Sequence, residues 1–114
     1  MAKGGAGALS ERVSFSKRGE VEDSYGNTVS DWILQFETAA AFVHLRGGEA
    51  VIAARLENRH PQVVRIRNSQ SARSITAEWK MNDARSGTEY AIRDITPTVD
   101  RKWIDLLCES GVVP

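Results

Sequence analysis

Residues 12–17 read Arg12-Val13-Ser14-Phe15-Ser16-Lys17, with Val13 and Phe15 on one side and polar side chains on the other. That two-residue period belongs to a strand buried on one face. It returns at Gln62-Val63-Val64-Arg65-Ile66-Arg67, where Val64 and Ile66 oppose Arg65 and Arg67, and at residues 89–95, where Tyr90 and Ile92 point inward. Between the first and second extended stretches lies Asp23-Ser24-Tyr25-Gly26-Asn27. There Asp23 can bond its own backbone, and Gly26 and Asn27 tolerate positive φ, so the chain is predicted to reverse.

From Thr28 the extended pattern resumes. Trp32, Leu34 and Phe36 share one parity and Ala39, Ala41, Val43 and Leu45 the other, so the apolar face changes side near Glu37-Thr38, which predicts a bulge or break there. Arg46-Gly47-Gly48-Glu49 ends the strand. Residues 49–58 are rich in Ala, Leu, Glu and Arg, with Ile52 and Leu56 four apart, and predict a short helix with a thin apolar stripe, stopped by Pro61. Asn68-Ser69-Gln70-Ser71 reads as a polar loop, 74–79 as a strand or irregular extended run, and 82–87 and 97–100 as turns. Residues 101–108 set Trp103 and Leu107 on one face and Ile104, Leu106 and Cys108 on the other; a strand apolar on both faces is central or covered by a partner.

The fold class is therefore mainly β: five or six short strands in a small antiparallel barrel or sandwich, with one short helix or long loop inserted after the second or third strand. The expected organisation is a flexible arm at 1–9, one domain at 10–110 and a short tail at 111–114. No internal repeat is present.

Composition narrows the function classes. A chain of 114 residues with 41% hydrophobic and 26% charged residues has the make-up of one globular domain. Apolar runs such as Ala39-Ala40-Ala41-Phe42-Val43 fall far short of the ~18 residues of a membrane-spanning helix, so no membrane is expected among its partners. The start Met-Ala-Lys-Gly-Gly-Ala-Gly-Ala has no apolar core of a secretory signal, which predicts synthesis in a cytoplasm. The single Cys108 has no internal partner and is expected in the core.

Fifteen bases balance fifteen acids, without the net positive charge of a dedicated nucleic-acid binder. The charge is nonetheless segregated. Residues 20–50 hold six acids (Glu20, Glu22, Asp23, Asp31, Glu37 and Glu49) against Arg46, and residues 51–77 hold five arginines (Arg55, Arg59, Arg65, Arg67 and Arg73) against Glu57. One acidic and one basic surface would suit head-to-tail contact between copies; ordinary solvated faces would account for the same pattern.

No catalytic or metal-binding constellation emerges. His44 and His60 stand sixteen residues apart without metal-ligand spacing, the loop serines lack a nucleophile elbow, and Gly47-Gly48 is not followed by a phosphate-cradling motif and reads as a hinge. Asp94, Asp100 and Asp105 have bases nearby and read as solvated ion pairs. The expectation is a non-enzymatic protein with no cofactor. Arg65 and Arg67, with Arg55, Arg59 and Arg73 around them, have the chemistry to meet phosphates but lack stacking aromatics on their strand.

The order of landmarks carries a resemblance: Arg12-Val13-x-Phe15, Asp23-x-Tyr25-Gly26-Asn27, Trp32, Ala41-x-Val43, Gly47-Gly48-Glu49, Val64-x-Ile66-Arg67, Tyr90-x-Ile92, and Asp100-Arg101 through Leu107-Cys108-Glu109. In these, over about residues 9–109, the chain resembles the bacteriophage head-to-tail joining family, the head-completion or stopper proteins of tailed phages. One stretch departs: residues 75–87 carry Trp79-Lys80-Met81 where relatives commonly have a shorter Arg-containing strand and turn.

The resemblance implies a virion protein forming a ring in the phage neck, a hexamer or dodecamer of itself. Its partners would be the portal or adaptor protein, the tail terminator or tail tube protein, and packaged double-stranded DNA in the channel. The segment after Gly47 and Gly48 would narrow that channel, with Arg55 and Arg59 toward DNA. Subunit contacts would set Glu22, Asp23 and Asp31 of one copy near Arg65 and Arg67 of the next. The rival expectation is a small monomeric nucleic-acid-binding barrel.

Overall fold

Six antiparallel strands hydrogen-bond in the cyclic order β1-β2-β3-β6-β5-β4 and back to β1, closing a barrel. The computed structural model describes residues 9–43 and 60–111. Its strands are β1 (Glu11–Glu22), β2 (Thr28–Val43), β3 (His60–Arg67), β4 (Lys80–Asp83), β5 (Glu89–Pro97) and β6 (Trp103–Ser110), with one short helix, α1 (Gln70–Arg73), after β3. The predicted helix at 49–58, its hinge Gly47 and Gly48, and Arg55, Arg59 and His44 lie outside the described residues.

The alternation read at β1, β3 and β5 is the one the barrel uses. Val13, Phe15, Val64, Ile66, Tyr90 and Ile92 all face the core. With only six strands the lumen is narrow enough for side chains to fill it, so the interior is a packed core. Phe15 and Phe36 stack there with ring centres 5.0 Å apart. Strand β6 is flanked by β3 and β5, and buries Ile104, Leu106 and Cys108 while Trp103 and Leu107 stay half-buried outside. Its two apolar faces are thus those of a strand paired on both edges.

Cys108 is fully buried, and desolvation pushes its thiol up to about 12. The native protein should therefore resist an aromatic disulfide reagent at pH 8 and react stoichiometrically once unfolded in denaturant. Rapid labelling of the native chain would contradict the packing described.

Several local expectations are corrected. The face change in β2 exists but falls earlier and runs in the opposite sense. Phe15 pairs with Phe36 and Ser16 with Leu34, which leaves Gln35 as the extra residue of a bulge. After it Phe36, Ala40 and Phe42 face inward, while Leu34 and Val43 are exposed and Trp32 is half-buried. Small alanines on both parities hid the true phase.

Asn68-Ser69-Gln70-Ser71 is not all loop. Ser69 caps α1, its Oγ accepting from the Ala72 amide at 3.0 Å, and Ala72 is pinned in the core. Of the two expectations for residues 74–79 the strand is not formed, and the stretch is irregular with turns: Ile75 and Trp79 drop into the barrel end and plug it. Asn82 and Asp83 belong to β4 because β1 and β5 pair with that segment, and the turn is confined to 84–88. Pro97 ends β5, whereas Arg101 and Lys102 belong to the turn before β6; Arg101 adopts φ 61°, incompatible with a strand. His60 opens β3 instead of lying in a loop.

Candidate functional site

The feature that departs most from a plain barrel is the hairpin of β1 and β2. Strand β4 pairs with β1 only at Val13 to Ser16, and β3 pairs with β2 only at Ala40 to Val43. Beyond those points Lys17 to Glu22 pair solely with Thr28 to Ile33. Six paired residues make a two-stranded arm about 20 Å long with both edges open.

The arm's tip is built by the turn read from the sequence. Asp23 Oδ1 accepts from the amides of Tyr25 and Asn27, both at 2.9 Å, and Gly26 takes φ 80°. These backbone bonds hold the Asp23 carboxyl below its ordinary value. Fixed in this way, the turn holds Tyr25 outward with 87% of its surface exposed. Val29, Ile33 and Leu34 are further exposed apolar side chains along β2. A Cβ at Gly19 would collide with Ile33 Cδ1, so glycine is what lets Ile33 fold across the ribbon. At the arm's base, Trp32 lies between Arg18, 4.5 Å from its ring centre, and Lys80, 5.0 Å away.

Glu20, Glu22, Asp23 and Asp31 make residues 19–31 purely acidic. Among the described residues, none of these four carboxylates forms an ion pair within the chain.

A second surface lies on the outer face of β3 and β6 and the turns beside it. Arg65 binds Asp105 through two parallel bonds of 2.7 and 2.9 Å, which raises the guanidinium further. Next along, Arg67 stacks on Trp103 at 5.1 Å from the ring centre. Asn68 ties the neighbouring elements together: its side chain donates to the Arg101 carbonyl at 2.9 Å and accepts from Arg73 at 3.0 Å. Arg67, Arg73, Arg101 and Lys102 thus gather around one asparagine, all four exposed. Asp100, the acid among them, spends its carboxylate on Thr98 Oγ1 and the Lys102 amide, which hold it ionised below its ordinary value. Thr98, Val99, Asp100, Arg65 and Trp103 line a shallow depression here, and Val99 at its lip is fully exposed.

Both surfaces sit at the barrel end plugged by Ile75 and Trp79. The ends of β2 and β3 that flank residues 44–59 lie at the opposite end. Of the residues singled out from the sequence, Glu22, Asp23 and Asp31 fall together on the arm, and Arg65 and Arg67 together on the β3–β6 face. Arg101, Lys102 and Trp103 join the basic face with no signal in the sequence, because they come near Arg67 only through the pairing of β3 with β6. The three aspartates Asp94, Asp100 and Asp105 are dispersed among Thr96, Thr98 and Arg65 as separate local partners. Among the described residues no group of three His, Cys, Asp or Glu is placed to hold a metal ion.

Residues 5–111 match the family model described as phage head completion protein. Among solved structures, protein SF1141 from Shigella flexneri 2a, known in solution, is similar with a TM-score of 0.67 at 18% identity, over 96% of this chain and 98% of that one. A chain in the virion of a native gene transfer agent particle is similar with a TM-score of 0.59 at 17% identity, over 90% of this chain and 94% of that one. At these identities the two structures speak to the fold. No curated protein matches the chain at a significant level.

Proposed function

This chain belongs to the phage head completion protein family, a family of structural virion proteins, and we propose that it assembles as a ring in the phage neck. There it closes the filled head and offers the surface to which the tail attaches. The observation that carries the reading is the family match over nearly the whole chain. The segregated charge supports the ring: an acidic arm and a basic face on one subunit are the two unlike halves of a contact that repeats around an axis.

In this reading the subunit contact sets Glu22, Asp23 and Asp31 of one copy against Arg67 and the Arg65–Asp105 pair of the next. The segment carrying Gly47, Gly48, Arg55 and Arg59 turns toward packaged DNA, and the portal or adaptor and the tail protein bind the two rims. The basic residues meet phosphates only within the assembled channel.

The test is to remove the protein from an otherwise intact phage. The expected result is heads that package DNA, carry no tails and lose their genome on storage, with the labelled chain imaged at the capsid vertex of wild-type particles. Normal tailed particles in its absence would overturn the reading. So would high affinity of the purified chain for free DNA that falls steeply with salt, which is the behaviour of a monomeric nucleic-acid-binding barrel.

A further inference from the structure

Tyr25 is a large aromatic side chain held 87% exposed at the end of an arm. Three features of the subunit say what it meets. The turn beneath it is fixed by the two bonds to the Asp23 carboxylate, so its position is set before any contact and little is lost in ordering it. Below it along the arm stand Glu22, Glu20 and Asp31, whose carboxylates have no ion-pair partner among the described residues. The depression on the β3–β6 face is lined by Val99, Trp103 and Thr98, with Asp100 held by its own turn and Arg65 by Asp105, and the exposed bases Arg67, Arg101 and Lys102 stand next to these lining residues. An aromatic anchor at the tip of an acidic arm and a partly apolar hollow flanked by exposed bases are complementary in shape class and in sign.

We propose that Tyr25 of one copy seats between Val99 and Trp103 of the next, with the arm's carboxylates on that copy's Arg67, Arg101 and Lys102. The occupant is a second copy of this chain because the same molecule carries both halves. The two halves are different patches, so the contact is head-to-tail and repeats from copy to copy. Arg65, held by its bond to Asp105, is part of the hollow's lining. The inference rests on the neck-ring reading and names the anchor of its subunit contact.

The experiment places a photo-crosslinking benzoylphenylalanine at position 25 of the full chain and irradiates assembled particles. The expected product is a ladder of multiples of the chain mass, with the cross-linked peptide containing Val99 or Trp103, reduced roughly tenfold when Val99 is also changed to Asp. A Tyr25→Ser chain should melt with the wild type, since the side chain touches solvent, while its entry into particles drops. Cross-links to another virion protein, or to a different face of a second copy, would overturn the contact and leave the chain's place in the neck standing. Particles that lack the chain altogether would overturn both.

Discussion

Replacing Phe15 by Ala should lower folding stability by about 3–5 kcal/mol, the cost of removing a large aromatic from a filled interior. Phe15 is wholly buried and stacks on Phe36. It also stands where β1 changes partners: opposite it are Phe36 on one side and Met81 on the other, and the bulge at Gln35 follows at once. Its loss would open a cavity at the point where the free arm joins the closed barrel. In a domain of this size the expected fall in melting temperature is roughly 15 °C or more, read by thermal or urea unfolding. Leu34→Ala, which trims a side chain 58% exposed on the same hairpin, should change stability by less than about 0.5 kcal/mol. Equal effects from the two would mean that the barrel is not packed as described.

The second large effect concerns assembly. Arg67→Glu combined with Arg101→Glu should reduce incorporation into particles about tenfold, and Glu22→Lys with Asp31→Lys on the same chain should restore much of it. All four side chains are exposed, and among the described residues none is in an ion pair, so the folded subunit should keep its circular dichroism and lose at most about 1 kcal/mol of stability, the worth of the exposed Arg67–Trp103 stacking. Arg65 is left alone because its reversal would set a glutamate against Asp105 and confound folding with assembly. The measurement is the amount of chain per purified particle. Unchanged incorporation of the Arg67/Arg101 variant would refute an electrostatic subunit contact on this face, and a failure of the paired reversal to restore it would refute the acidic arm as the partner.

The sequence shows its barrel through alternation where large apolar residues are separated by charges. Val64 and Ile66 against Arg65 and Arg67 leave a single phase, and the structure adopts it. Phase was lost where the residues are small. In Thr38-Ala39-Ala40-Ala41 either parity fits a core, and only the pairing of Thr38 with Val13 and of Ala40 with Ile66 decides that Ala40 is the inward one. Trp79 was ambiguous for a different reason: its burial comes from plugging the end of the barrel, a place with no periodic signature in the chain.

By itself the sequence determined the class of fold, the hairpin turn at Asp23, the core place of Cys108 and the order of landmarks that marks the family. All of these follow from near neighbours or from spacing along the chain. The tertiary structure alone decided that the outer half of the first hairpin stands free, because that depends on how short β3 and β4 are where they meet it. It alone brought Arg101, Lys102 and Trp103 beside Arg67, because residues some thirty-five positions apart become neighbours only when strands pair. A surface is made by register and closure, and neither is written in any one stretch of residues.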